Sequence, residues 1–478
     1  MYRCSFAAAG CRIAGKKPQF LPPTARREAR LFPVRLLLLL LIVFAASVSP
    51  WAGAADAAGN FPASRADEIA DELLELQQVI DTALDNNPGL ARKRAHASAM
   101  AAIPPQVGTL PDPILSFDAV NLPVDTFSTT QENMTQLRAG LSLKVPFPGK
   151  LRLRKEAADF EAQSASFDVD EFRLELVRNV RIGWWNLFYL DRALETVRRN
   201  QVLLRQFINI AETKYEVGKG LQQDVLLAQV ELSKLIDIEI QLKGARKDQQ
   251  ARFNALLNLP AQNVVHLPLR VPEKLPKPPE EAALHLIALE TRPLLGSWDE
   301  RIKAAQKRVD LARKDYYPDF KLKAGYGFRS GNNTGRTDSR SDFLTLGISV
   351  NLPVFISTKQ SRALHQRTSE RFKEELARQD AIESVLSETS SALADYVKTR
   401  DQALLFKTGI IPQASQTVSS MLAGYQVNKV DFLNLVRSQI TLYNFETQYW
   451  KALAGARQSL ARLSSAIGKD LPGNLSHE

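Results

Sequence analysis

The stretch "YEVGKGLQQDVLLAQVEL", Tyr215–Leu232, returns in a similar form as "YQVNKVDFLNLVRSQITL", Tyr425–Leu442. Tyr, Val, Lys, Gln and Leu recur at matching places, and several mismatches, such as Ser for Ala, are conservative. Two such motifs, 210 positions apart (425 less 215) in a chain of 478 residues, indicate a duplicated domain rather than a solenoid of short repeats.

Prolines at fixed spacing extend the duplication away from these motifs. Pro111 and Pro146 lie 35 positions apart, and so do Pro318 and Pro353. A Pro-rich segment between the copies is typical of an extended linker. The predicted units are a leader at 1–54, a first copy at 55–267, the linker at 268–281 and a second copy at 282–475.

The leader has the features of a secretory signal peptide. Basic residues precede the apolar run "LLLLLLIVFAA" at 36–46, and the small residues "AGA" follow it at 52–54. Residues 1–54 contain eight Lys and Arg and one Glu, so they carry +7 of the formal +10 and leave about +3 after cleavage. The basic pI therefore gives no reason to expect a nucleic-acid partner.

Cysteine usage and hydrophobicity limit the class of the processed protein. Cys4 and Cys11 both lie within the leader, which predicts a processed chain without disulfides or thiolate metal sites. No cysteine follows the apolar run, where a lipoprotein would carry one, and no second apolar run reaches about 18 residues. We therefore expect an exported protein that is either soluble or enters an outer membrane as β-strands.

Four segments show the two-residue alternation of β-strands, at about 112–121, 136–145, 319–328 and 343–352. Polar connections of about 14–16 residues join them in pairs. Strands of about 9–11 residues with one apolar face and long loops match transmembrane β-strands. Ordinary hairpins on a soluble core remain the alternative.

The face opposite the apolar one would then look inward. It carries the charged residues Asp118, Arg138, Lys144, Lys321 and Lys323, a net charge of about +3. Four strands cannot close a barrel, and an open edge in lipid leaves backbone groups unpaired at several kcal/mol each. About eight strands close only a plugged barrel, so twelve strands pooled by three copies are predicted, with these charges in the lumen.

Long helices follow each strand pair. No proline lies between Gly149 and Tyr215, and about 67 helical residues would extend roughly 100 Å. Helical hairpins are predicted at about 149–258 and 356–467, with Pro412 expected to bend or restart the second. Trp184 and Trp185 fall in mid-helix, where packing between helices is the favoured interpretation.

The duplicated motifs then mark the two hairpin tips. The candidate tip residues are Val217, Gly218, Lys219, Gly220, Val427, Asn428, Lys429 and Val430. Gly218 and Asn428 tolerate a left-handed turn before each lysine. Asp224 suits the positive end of its helix, and Asp431 is a candidate N-cap or a candidate aperture residue.

This order of helix, strand pair and helical hairpin, written twice, resembles the TolC-like outer-membrane efflux proteins. The resemblance is carried by "KYEVGKGLQQDVLLAQ", "IIPQASQTVSSMLAGYQVNKVDFLNLVRSQ" and the closing "ARLSSAIG". The phrases "LPDPILSFDAVNLPVDTF" and "PFPGKL" resemble the CzcC/CusC-like heavy-metal RND branch. Some relatives carry a lipid on an N-terminal cysteine, which has no counterpart in this chain.

The resemblance implies a mainly α fold with a β-barrel part. It implies a homotrimer whose 12-stranded barrel lies in outer-membrane lipid of a Gram-negative bacterium and continues as a periplasmic α-helical barrel. It also implies two partners, a periplasmic adaptor (membrane fusion) protein and an inner-membrane pump of RND type. The hairpin tips are expected to form the lower mouth and to contact the adaptor.

The predicted function is that of a passive exit duct in a tripartite efflux system, with heavy-metal efflux favoured. A duct for drug efflux or type I protein secretion is the alternative, because the sequence does not identify the cargo. A periplasmic coiled-coil adaptor is an alternative of another class, but it should have one hairpin and lack the four strands.

Catalysis is not expected. No paired carboxylates, Ser–His arrangement or Gly-rich phosphate loop stands out, so neither an enzyme nor a cofactor is predicted. His96 and Met100 share a helix face, but one His with one Met does not make a metal site, and none is predicted.

Overall fold

A computed structural model describes residues 75–268, 271–333 and 337–471. The predicted signal peptide with Cys4 and Cys11, and the first part of the first copy, lie outside the described residues. The described chain is mainly helical and contains one four-stranded sheet. Among the described residues, no helix combines the length and hydrophobicity needed to cross a bilayer.

The two halves contain similar elements, short helices followed by a strand pair and long helices, but three helices precede and two follow the strands in the first half, whereas two precede and three follow them in the second. The first half consists of α1 Leu76–Asn86, α2 Pro88–Ala101, α3 Ile103–Gly108, β1 Ile114–Val120, β2 Gln136–Val145, α4 Lys150–Glu216 and α5 Gln222–Leu256. The second half consists of α6 Glu281–Thr291, α7 Pro293–Lys314, β3 Phe320–Phe328, β4 Phe343–Val350, α8 Ser361–Leu405, α9 Ile411–Gln426 and α10 Phe432–Ile467. Each strand overlaps one of the predicted segments.

The sheet is antiparallel, with its strands in the order β1-β2-β3-β4. The pairing of β2 with β3 joins the two halves, for example through Val145 opposite Phe320. β1 and β4 are the edges, and among the residues that the structure describes each has a neighbouring strand on one side only.

The two faces of the sheet differ in polarity. Directly opposed residues project to the same side, and alternate residues project to opposite sides. One face is apolar and carries Leu115, Phe117, Leu137, Leu141, Leu322, Phe328, Leu344, Leu346 and Ile348, all solvent-exposed in the single chain. An exposed apolar surface of this extent calls for another apolar phase or a partner.

A buried lysine fixes the junction between sheet and helices. Lys150, the first residue of α4, is 3% exposed, and its Nζ lies 2.9 Å from Asp319 Oδ1 and 3.1 Å from Asp315 Oδ1. Asp319 Oδ1 also accepts a hydrogen bond from Phe147 N at 3.0 Å. Because a buried charge is tolerated only when it is paired, this cluster ties the start of α4 to the start of β3.

α4 runs unbroken for 67 residues, as its lack of proline predicts. Trp184 and Trp185 are buried in its middle, where Trp184 stacks on Phe188 with ring centroids 5.9 Å apart. Phe188 in turn contacts Trp450 of α10 edge-to-face at 6.0 Å. The prediction that both tryptophans pack between helices is confirmed.

The long helices are arranged side by side. α4 packs against α5 on one side and α10 on the other, and α10 packs against α8 and α9. α5 and the α8–α9 segment are therefore the two edges of this helical layer, as β1 and β4 are the edges of the sheet.

The second outgoing helix contains two π-helical turns, at Ile356–Gln360 and Phe406–Ile410. α9 follows the second π-turn directly, with helical backbone on both sides and Pro412 in its first turn, so the expectation that this proline bends or restarts the helix stays a prediction. Proline fits the first turn because its missing N–H has no intrahelical partner there.

The segment between the halves has neither helix nor strand where it is described, yet it is held against the helices. Arg457 donates to the carbonyls of Pro272 at 2.6 Å and Lys274 at 3.1 Å. Tyr396 donates from its hydroxyl to the carbonyl of Pro276 at 2.6 Å. The linker therefore lies along α8 and α10.

Candidate functional site

The two hairpin tips have the same backbone geometry. Gly218 (φ +68°) and Asn428 (φ +57°) both adopt the left-handed conformation predicted for them. Lys219 N donates to Lys214 O at 2.8 Å, and Lys429 N donates to Gly424 O at 2.9 Å. These bonds are those of a Schellman motif, which satisfies the last carbonyls of a helix.

The tips expose the same kinds of side chain. Val217 and Val427 are both largely exposed, and Lys219 and Lys429 are exposed beside them. Each tip thus presents one apolar and one cationic side chain at the end of the helical layer. The sequence predicted this pair of surfaces, and its contact with another protein stays a prediction.

A lysine that sequence reasoning missed joins the two tips. Lys214 Nζ donates to Asn428 Oδ1 at 2.6 Å and to the carbonyl of Tyr425, and it lies 4.1 Å from the centroid of the Tyr425 ring. Tyr425 is 5% exposed, whereas the equivalent Tyr215 is 48% exposed. The duplicated tyrosine is the only sequence signal for this contact, since Lys214 lies outside the tip segments.

Acidic groups also gather at this end. Burial raises the pKa of the Asp224 carboxyl above its ordinary value, and the nearby charge of Asp431 raises it further. Burial likewise raises the pKa of the Tyr425 hydroxyl, with a contribution from Asp224. Two carboxylates of one chain therefore lie near each other at the tips, on the helices that return from them.

Asp431 occupies the predicted N-cap position before α10, but its side chain makes no capping hydrogen bond. Asp431 is thus the N-cap residue by position, as predicted, but without a side-chain capping bond. The backbone carbonyl of Asp431 accepts from Asn434 N at 3.1 Å instead, and the side chain is exposed. The carboxylate of Asp431 is therefore exposed and not engaged by its own helix.

The strand register brings the five charged strand residues onto the polar face of the sheet. Asp118 lies opposite Arg138 on neighbouring strands, and Lys144 lies opposite Lys321. Lys323 lies opposite Ser142 on one side and Gly347 on the other. Two directly opposed lysines repel each other, so the Lys144–Lys321 pair is a concentrated positive site at the helix-proximal end of the sheet.

Glycines open space on this polar face. A Cβ at Gly325 would lie 3.4 Å from Arg138 Cδ, and a Cβ at Gly347 would lie 3.8 Å from Lys323 Cβ. The long side chains of Arg138 and Lys323 therefore lie beside glycines, where no neighbouring side chain competes for the space.

An arginine holds the loops at the other end of the strands together. Arg340 is buried and donates to the carbonyls of Thr130, Glu132 and Ser330 at 2.9–3.1 Å. Its bonds reach both loops, so the connections of the two strand pairs form one unit where they are described.

No metal site is apparent in the described ranges. Within them, no group of three or more His, Cys, Asp or Glu side chains is placed to hold a metal ion. His96 and Met100 both lie on α2.

The family model described as outer membrane efflux protein matches residues 79–259 and 286–469, which correspond to the two halves. The chain is 21% identical over 408 residues to the cobalt-zinc-cadmium resistance protein CzcC of Cupriavidus metallidurans, covering 83% of this chain and 90% of that protein. It is 24% identical over 487 residues to the pyoverdine export outer membrane protein OpmQ of Pseudomonas putida, covering 93% and 98%.

Among solved structures, the fold is similar to that of CusC, a protein studied for its transmembrane channel formation. The TM-score is 0.70 at 18% sequence identity, over 83% of this chain and 92% of that one. This likeness concerns the fold alone.

Proposed function

The chain belongs to the outer membrane efflux protein family, and from that premise we propose that it is the exit duct of a tripartite efflux system. It is an outer-membrane protein of a Gram-negative bacterium and not an enzyme. In the proposed system it passively conducts cargo that an inner-membrane pump and a periplasmic adaptor deliver.

The single observation that carries this proposal is the sheet with one exposed apolar face and two open edges. In lipid, unpaired edge groups cost several kcal/mol each, so the edges of one copy must pair with those of other copies. Three copies pool twelve strands, which are enough for a closed barrel with a lumen.

The helical layer supports the same assembly. Its edge helices expose apolar side chains that a neighbouring copy would cover. These are Leu226, Val230 and Ile240 on α5 and Phe372, Leu376 and Leu405 on α8. Because sheet and helices have their open edges on both sides, three copies side by side form a β-barrel continued by an α-helical barrel.

The tips then form the periplasmic mouth and contact the adaptor. The exposed Val217 and Val427, with Lys219 and Lys429 beside them, offer an apolar and cationic surface to an adaptor hairpin. Asp431 is the proposed aperture residue. Asp224 lies near it and would add a second carboxylate to the aperture.

We propose heavy-metal cations as cargo and an RND-type pump as the partner. Similarity to CzcC over most of the chain supports this choice. The polar sheet face bears net positive charge, but a narrow acidic mouth sets ion selectivity more strongly than a wide barrel. The alternative is a duct for drug efflux or type I protein secretion, and similarity to the pyoverdine export protein OpmQ favours a cargo other than heavy-metal cations.

Site-specific photo-crosslinking in living cells tests the proposal. A photoreactive amino acid replaces Lys219 or Lys429 at the tips, or Asn332 in a loop at the opposite end. We expect the tip positions to capture a periplasmic hairpin protein, and Asn332 to capture none. The reverse pattern would invert the orientation of the chain and contradict the proposal.

A further inference from the structure

A cavity lies between α4, α5 and the chain that enters the linker. Its volume is about 920 Å³, within the range of about 300–1,000 Å³ that is usual for small-molecule sites. α4 contributes wall residues between Phe188 and Val202, α5 contributes residues between Lys243 and Gln250, and the chain at the linker contributes His266–Pro268. All of these residues belong to one chain, so the cavity is complete without a second copy.

The wall of this cavity is rich in cationic side chains. Six lysines and arginines share it with two carboxylates, those of Asp191 and Glu195. The six cationic residues are Arg192, Arg198, Arg199, Lys243, Arg246 and Lys247. Arg246 is fixed in place, because its Nε lies 2.5 Å from Asp191 Oδ1 and its Nη2 donates to the carbonyl of Val265 at 2.8 Å.

The carboxylates around the cavity leave some of these cations without a full counter-charge. Arg198 Nε and Lys243 Nζ lie 3.0 Å and 2.9 Å from the same oxygen of Glu239, Oε1. Lys247 is exposed, and its side chain has no ion pair in the described part of the chain. The Nε of Arg192 is buried and has no hydrogen-bond partner there.

A count of charges gives the same result. Glu239 and Glu446 lie outside the wall and pair with wall arginines, and with the two wall carboxylates they make four anions against six cations. The net charge is +2 (six less four) when His266 is counted as neutral. Positive charge in a partly enclosed cavity attracts anions, and guanidinium and ammonium groups bind phosphate and carboxylate well.

The wall also has apolar parts on which the organic portion of a ligand could pack. Phe188, Leu194, Val202 and Leu267 line the cavity between the charged groups. We propose that this cavity binds a small organic anion that carries two or more phosphate or carboxylate charges. Such a site goes beyond the proposed exit duct and does not depend on it, because the cavity lies within one chain.

Calorimetric titration of the purified full chain in detergent, in metal-free buffer, tests for the site. The titrants are pyrophosphate and citrate, so that binding of one alone identifies phosphate or carboxylate as the recognised group. We expect one anion per chain, with weaker binding as salt rises from about 0.05 M to about 0.2 M, because salt screens the attraction. Failure of both anions to bind at low salt would overturn the proposal.

A pair of double variants places the bound anion in the cavity. Lys243→Gln/Lys247→Gln removes two wall cations and leaves the Arg198–Glu239 pair in place. We expect binding at least about tenfold weaker, because hydrogen bonds to charged groups are strong ones.

The matched control is Lys234→Gln/Arg252→Gln. It removes two exposed cations from the same helix, neither of which lines the cavity. Its affinity should equal that of the wild type. An equal loss in both double variants would show that only the overall charge of the chain matters, and would overturn the proposed site.

Thiol protection gives a second measurement that keeps every charge of the wall. Val202→Cys places the only cysteine of the processed chain in the cavity wall, because Cys4 and Cys11 precede the expected cleavage point. Val217→Cys is the control at the first tip, and both valines are more than half exposed, at 52% and 61%. We expect saturating anion to slow the reaction of a neutral maleimide with Val202→Cys alone. An unchanged rate at this position would contradict the proposed site and leave the exit duct standing.

Discussion

At each hairpin tip two residues pack against each other, and one of the two is a glycine. The glycine holds the later position in the first half of the chain and the earlier position in the second half. A Cβ at Gly220 would lie 2.9 Å from Lys214 Cβ, and a Cβ at Gly424 would lie 2.5 Å from Val430 Cγ2. Lys214 and Gly424 are equivalent positions, as are Gly220 and Val430. Each tip therefore needs a glycine at one of the two positions, because a side chain at both would clash.

We expect Gly424→Ala to destabilise the second tip by about 1–3 kcal/mol, the usual cost of overpacking. Val430 is β-branched and has little rotamer freedom to move away. Thermal unfolding and limited proteolysis at the tip measure the effect. The double variant Gly424→Ala/Val430→Gly should recover most of the loss, and a double variant as unstable as the single one would refute this pairing of the two positions.

One carboxylate on α5 gives a defined pH dependence. Hydrogen bonds from Lys243, Gln201 and Arg198 lower the pKa of Glu239 from 4.5 to about 2. Because the pKa is lower in the folded chain, the carboxylate stabilises the fold above pH 4.5 and loses this contribution as the pH falls to about 2.

Glu239→Gln should therefore lower stability at pH 7 by about 0.5–1 kcal/mol, a small value because the site is partly exposed. The difference between wild type and variant should shrink between pH 4.5 and 2 in thermal melts. A difference that is the same at both ends of this range would contradict the assignment.

Measurements of ion selectivity can test the charges of the mouth and the charges of the barrel independently. We expect Asp224→Asn/Asp431→Asn to reduce cation preference in single-channel recordings across a salt gradient, because it removes the carboxylates near the tips. Lys321→Glu/Lys323→Glu should shift the reversal potential toward cations. Unchanged selectivity in the first variant would exclude the acidic mouth, and in the second it would exclude an inward-facing polar face.

Single-residue conformations were predictable where backbone chemistry dictates them, as at Gly218 and Asn428. Contacts between distant residues were not. Lys214 bonds to Asn428 although 214 positions of sequence separate them, and no local sequence pattern predicts such a pair. The absence of a capping bond at Asp431 shows that a favourable residue type at a helix start does not fix its rotamer.

At the scale of elements, alternation predicted the strands and missing proline predicted α4, because both depend on local periodicity. The π-helical turns were missed, although the sequence held a trace of them. The offset between the copies is 207 at the strands and rises to 210 at the tips, so the second outgoing helix is longer by three residues. A π-turn absorbs an inserted residue within a continuing helix.

This interpretation predicts an asymmetry between deletions. Removing Gly409 from the π-turn at Phe406–Ile410 should convert it to α-helix, with the tip below keeping its orientation. Removing Val202 from the uninterrupted α4 should rotate the first tip by about 100° and separate Lys214 from Asn428. Yield of assembled protein in the outer membrane measures both, and equal loss would contradict the insertion account.

At the scale of the whole molecule, duplication predicted two equivalent halves and a linker between them. It did not predict that the linker is bound along α8 and α10, because the bonds from Arg457 and Tyr396 use backbone carbonyls that any sequence offers. The open edges of sheet and helical layer follow from the same duplication. Each chain therefore has an open edge on both sides, where the next chain of the proposed assembly would pack.

The number of copies is therefore the most direct test of the account. Native mass spectrometry of the processed protein, extracted from outer membranes in mild detergent, counts the chains in the assembly. The account predicts three, which pool twelve strands around an open lumen. A single chain that remains in aqueous solution, or a dimer whose eight strands leave no open lumen, would contradict it.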